Sequence, residues 1–111
     1  MNSPQLPTVR ADALPDDARP VDVREPDEWA AGRAPGAIHL PMSEITGRVH
    51  ELPEGQDPLY VICRSGGRSA RVAGYLVSLG YPAVNVDGGM QAWAGAGKPL
   101  VNDGPGAPEI I

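Results

Sequence analysis

Cysteine is nearly absent from this chain: 111 residues contain a single thiol, Cys63. One thiol excludes an internal disulfide and a Cys-x-x-Cys redox pair. Histidine is almost as scarce, and His39 and His50 with that thiol form no zinc-ligand pattern, so neither a structural metal nor a cofactor is expected. Long apolar runs are missing too. The stretch Leu59 to Cys63 is typical of the longest, far short of the ~20 residues that span a bilayer. Basic charge is in deficit, with 9 Lys and Arg against 14 Asp and Glu and a net charge of −5. Such a surface repels phosphate backbones and anionic lipid, so nucleic-acid and membrane partners are not expected. The N-terminal MNSPQLPTVR lacks the basic cluster and apolar centre of a signal peptide, and the expected location is cytoplasmic.

What is present describes an ordinary folded protein. Hydrophobic residues make up 41% and charged residues 21%, too apolar for a disordered chain. The length suits one domain over residues 1–111, with a core over about 7–100 and an irregular, mobile tail over 101–111 rich in Gly and Pro. Short apolar runs alternate with helical patterns. Strands are expected at Pro7 to Arg10, Val21 to Val23, Ala37 to Leu40, Leu59 to Cys63 and Ala83 to Val86. Between them, Pro26 opens a short helix that Gly32 closes. Ser43 is placed to cap a helix with Ile45, Val49 and Leu52 on one face. Val72, Leu76 and Leu79 mark a third helix ending at Gly80, and Met90 to Ala94 a fourth. This alternation predicts an α/β sandwich with a mainly parallel sheet. Ligands of such sheets bind beyond the carboxyl ends of the strands, and Cys63 closes the most apolar strand.

The residues after Cys63 carry the chemistry. Gly66 and Gly67 let the chain curl so that successive N–H groups point inward, and a helix starts at once. Its unpaired N–H groups and positive dipole end make the same concavity attract anions. Arginine is concentrated there: eight in the chain predict about 0.6 per eight-residue window by proportion, yet Arg64, Arg68 and Arg71 share one. A thiol of pKa ≈ 8.5 is only about 3% ionised at pH 7, whereas a pKa of ~6.5, within reach of such surroundings, would make roughly three quarters thiolate.

The segment Cys63-Arg64-Ser65-Gly66-Gly67-Arg68-Ser69 resembles the active-site loop of the rhodanese family of sulfurtransferases. Three further segments match that family in order: Asp22-Val23-Arg24-Glu25 with Glu28, Gly32 to Pro41, and Asp87-Gly88-Gly89-Met90-Gln91-Ala92-Trp93. One departure is Arg33-Ala34, where the family more often has His-Ile. The resemblance implies a three-layer α/β/α fold with a five-stranded parallel sheet in the order 1-5-4-2-3. It also implies a Cys63 persulfide, formed by attack on the outer sulfur of thiosulfate or a similar small-molecule donor and emptied to a thiol or protein acceptor. In that chemistry Arg64 and Arg68 recognise the anionic donor, Ser65, Gly66, Gly67 and Ser69 shape the cradle, and the amides of residues 64 to 68 hold the negative sulfur.

Other residues carry two readings. Asp22 either anchors the loop from behind or simply pairs with Arg24. Glu28 either lines the entrance or serves the helix dipole. His39 is expected in a structural or surface role, His50 on a helix surface, and Trp29 and Trp93 in the core. Two rival functions are a protein-to-protein sulfur relay and a phosphatase or arsenate reductase on the same fold. The related phosphatases have one more residue between cysteine and arginine than the four here, so this cradle is tighter and suits one sulfur better than a tetrahedral oxyanion.

Overall fold

The computed structural model describes residues 6–111. Residues 1–5, part of the stretch read above for a signal peptide, lie outside it. Strands β1 (Thr8–Arg10), β2 (Val21–Asp22), β3 (Ile38–His39), β4 (Leu59–Ile62) and β5 (Ala83–Asp87) form one sheet in the order β1-β5-β4-β2-β3. Every pairing is parallel. A 3-10 turn (Ala11–Ala13) links β1 to β2, helices α1 (Pro26–Ala31), α2 (Ile45–Arg48) and α3 (Gly67–Ser78) lie in the later connections, and α4 (Gly89–Gly95) follows β5. This is the α/β architecture and strand order that the resemblance implied.

The side-chain period of two divides β4 between two cores. Leu59, Val61 and Cys63 join Val72, Ala73 and Leu76 of α3 on one face. Ile62 faces the other way, against Met90 and Trp93 of α4. The central strand is therefore apolar on both sides because both sides are covered. The same alternation aims the Cys63 side chain at α3.

Two local expectations need correction. Ser43 caps nothing, because Pro41 already starts a 3-10 turn over Met42–Glu44 and Ser43 falls inside it. Ile45 and Leu52 still reach the core. Trp93 is fully buried, but Trp29 is not a core residue. Its helix α1 buries no side chain and lies beside the edge strand β3, so Trp29 stacks on the His39 ring at 4.5 Å under the Arg33 guanidinium, also at 4.5 Å. The C-terminal segment has little regular structure and runs beside α1. Val101 bridges Arg33, Asp103 N–H donates to Ala30, Glu109 N–H donates to Ala31, and Ile110 packs on the second core.

A buried ion pair fixes the end of β2. Asp22 and Arg24 are both 0% exposed, joined through Arg24 Nη2 at 2.8 Å and Nε at 2.9 Å. The guanidinium also donates to the Glu28 carbonyl at 3.3 Å and the Gly32 carbonyl at 2.6 Å, so one side chain ties the strand to the last turn of α1. Removing one partner of such a pair leaves an uncompensated buried charge. Asp22→Ala should cost about 3–5 kcal/mol, measured as a lowered urea midpoint at unchanged m-value; a midpoint near the parent's would contradict this.

Candidate active site

Strand β4 ends at Ile62 and α3 begins at Gly67, so Cys63 to Gly66 are the entire connection. Gly66 adopts φ +119, a backbone state that side chains disfavour, and its N–H donates to Cys63 Sγ at 3.1 Å. The loop is pinned from behind by α4. Met90 N–H donates to the Cys63 carbonyl at 2.8 Å and Gln91 N–H to the Arg64 carbonyl at 3.0 Å. In a trans peptide the C=O and the next N–H point oppositely, so drawing these two oxygens towards α4 turns the Arg64 and Ser65 amides to the other side. The contact needs a glycine at 89, where a Cβ would overlap the Cys63 and Arg64 carbonyls.

A third donor group comes from α3. Ser69 Oγ lies 3.3 Å from Cys63 Sγ, 3.2 Å from the Gly66 carbonyl and 2.6 Å from the Asn85 side-chain oxygen. A hydroxyl has one proton, so these acceptors compete. If Asn85 turns its amide nitrogen to Ser69, the hydroxyl accepts from Asn85 and its proton is free for the sulfur; the end that Asn85 presents thus decides whether Ser69 serves a thiolate. Cys63 itself is 1% exposed. Burial pushes its thiol up, but hydrogen bonds from the Ser69 hydroxyl and from the Ser69, Gly66 and Ser65 amides outweigh it and hold the thiol below its ordinary value.

The arginines are engaged elsewhere than in the cradle. Arg68 makes a bidentate pair with Glu28 at 2.7 and 2.9 Å. That pairing holds the Glu28 carboxyl below the usual carboxylate range against an opposing burial effect, and it raises Arg68 correspondingly, again through the Glu28 hydrogen bonds first. Arg64 Nε donates to the Ile111 carbonyl at 3.0 Å, and its Nη1 and Nη2 lie 2.9 and 3.1 Å from the Gln91 amide, turned to present its oxygen. Arg71 is exposed on α3.

The structure thus gathers Cys63, Arg64, Ser65, Gly66, Gly67, Arg68 and Ser69, and brings in Glu28 through Arg68. Asp22 and Arg24 stand apart, bonded to each other and to α1. His39 is half-buried with Nε2 2.7 Å from the Arg24 carbonyl. Asn85, Gly89 and the Met90 and Gln91 amides were not among the site residues read from the sequence. The polar Asn85 inside the apolar run Ala83-Val84-Asn85-Val86 was a usable signal. A cavity of about 510 Å³ opens at the opposite end of the sheet, among Leu52, Gln56, Tyr81 and Pro82, and shares no residue with the loop.

The chain is similar to known proteins. The family described as rhodanese-like domain matches residues 9–96. A protein named sulfurtransferase from Allochromatium vinosum is 45% identical over 82 residues, 73% of this chain and 76% of its own. The crystal structure of a rhodanese-related protein from Thermoplasma volcanium superposes with TM-score 0.78 at 36% identity, covering 86% of this chain and 97% of that one. A thiosulfate sulfurtransferase from Pseudomonas aeruginosa, TM-score 0.72 and 30% identity, covers 89% of this chain but only 21% of its own.

The hydrogen bonds around the sulfur imply a pH dependence that the lone cysteine makes simple to read. Alkylation by iodoacetamide should titrate with an apparent pKa below the ~8.5 of an ordinary thiol. Ser69→Ala, which loses the hydroxyl donor, should move the profile to higher pH; an unmoved profile would exclude Ser69 as a donor to the thiolate.

Proposed function

The chain belongs to the rhodanese-like family of sulfurtransferases, and we propose that it carries a sulfane sulfur from thiosulfate or a related donor to a thiophilic acceptor as a persulfide on Cys63. The observation that supports this best is the arrangement of amides and a hydroxyl around one buried sulfur, with the competing carbonyls withdrawn to α4. Donors fixed in place before reaction stabilise charge without reorganising.

In the first half-reaction the Cys63 thiolate attacks the outer sulfur of thiosulfate. The donor's S–S bond breaks, sulfite leaves with the electron pair, and a new S–S bond joins Cys63 to the transferred sulfur. The charge that began on Cys63 Sγ then rests about 2 Å further out, one disulfide bond length, where the amides of residues 64 to 68 can stabilise it. In the second half-reaction a nucleophilic acceptor, a small thiol or a protein thiol, attacks that outer sulfur and returns Cys63 to thiolate. This is covalent catalysis in two displacements. Ser65 and Gly67 are exposed, so the rim of the loop is open to donors while the sulfur beneath it is not. The spacing of four residues between Cys63 and Arg68 favours a single sulfur over a phosphate. A thiol that must stay reduced fits the cytoplasm.

Intact-mass spectrometry after thiosulfate treatment tests the reading. The protein should gain the mass of one sulfur, reversed by a thiol, and Cys63→Ser should gain nothing and transfer nothing. A mass gain that survives this substitution would place the chemistry elsewhere.

A further inference from the structure

We infer that Glu28 sets the donor class of this site: by occupying the Arg68 guanidinium it disfavours dianionic donors such as thiosulfate and favours organic persulfides. The inference rests on the sulfurtransferase reading above and concerns which donor that chemistry prefers.

Arg68 sits one residue into α3, beside the cradle, where a cation would meet an incoming anion. Glu28, carried by α1, covers it with two parallel hydrogen bonds of 2.7 and 2.9 Å. A carboxylate in this geometry uses the same guanidinium edge that a sulfonate would use. The two side chains are 30% and 13% exposed, so water screens the pair only partly. The second loop arginine, Arg64, has no side-chain carboxylate partner among the described residues and hydrogen-bonds the Ile111 carbonyl and the Gln91 side chain. Thiosulfate would bring two negative charges towards a thiolate and a carboxylate, with the Arg68 guanidinium already paired. A persulfide whose organic group is uncharged brings at most one. Its transfer needs no further reagent: the Cys63 thiolate attacks the outer sulfur of R–S–SH, the S–S bond breaks, R–S⁻ leaves with the electron pair, and Cys63 becomes Cys–S–SH.

Glu28 also accepts from the Glu25 N–H at 3.0 Å and so helps start α1. The test must separate this from donor selection. Glu28→Gln keeps an oxygen for that N–H and removes the charge. Rates of sulfur loading onto Cys63 would be followed by intact mass with thiosulfate and with the persulfide of 2-mercaptoethanol, in the full chain. The parent protein should load faster from the persulfide at equal concentration. Glu28→Gln should shift the ratio of the two efficiencies towards thiosulfate by about fivefold or more, chiefly through the thiosulfate KM, and added salt should shrink the shift. Adding Arg68→Met to Glu28→Gln should erase it, since the gain runs through the freed guanidinium. A parent that prefers thiosulfate, or a ratio within about twofold of the parent's in Glu28→Gln, would overturn the assignment. If loading occurs from both donors with that unchanged ratio, only the role of Glu28 falls. If neither donor adds a sulfur, the sulfurtransferase reading falls with it.

Discussion

A sulfur that water barely reaches can hold negative charge only if fixed donors replace the water. At Cys63 the replacement consists of the Gly66 amide, further loop amides and the Ser69 hydroxyl. Much of the surrounding structure is what this requires. The loop between β4 and α3 must be short enough to stay wrapped around the sulfur, it must contain a residue that tolerates positive φ, and its carbonyls must be taken up by something else. Helix α4 meets the last requirement through the Met90 and Gln91 amides. A hydrogen bond behind the loop is therefore as much part of the sulfur's environment as one in front of it, because each peptide plane links the two.

Two of the arginines near the cradle are paired with carboxylates within the protein. Arg24 is neutralised by Asp22 inside the fold and Arg68 by Glu28 at its edge. The two pairs differ in consequence. The first is fully buried and serves to lock β2 to α1, where an unpaired member would be costly. The second is partly solvated and close to the loop, so in the proposed reaction its state bears on which donors approach. Both run through α1, a helix that buries none of its own side chains. Its place is secured by these pairs, by the Trp29 stack and by the C-terminal segment that crosses it.

Arg33 illustrates how a departure from the family's usual residues can be absorbed. Its guanidinium lies over Trp29, donates to the Trp29 carbonyl at 3.1 Å and pairs with Asp103 at 2.7 Å. Its backbone forms the bridge to Val101. The C-terminal segment is thereby laid along α1 until Ile111 reaches Arg64.

Residue order and spacing by themselves determined the α/β class, the central position of Leu59 to Cys63, and the loop of glycines and arginines that follows. These are short-range properties: strand periodicity, glycine conformational freedom and the start of a helix are all encoded within a few residues. Tertiary structure alone decided who meets whom. That Arg68 faces Glu28 across 40 positions, that Asn85 meets the Ser69 hydroxyl, that α4 draws back the loop carbonyls, and that Trp29 covers an edge instead of filling the core all depend on packing between segments far apart in the chain. Local pattern sets what each segment can become, whereas the partner of a charge or a hydrogen bond is set by which surfaces the sheet order brings together.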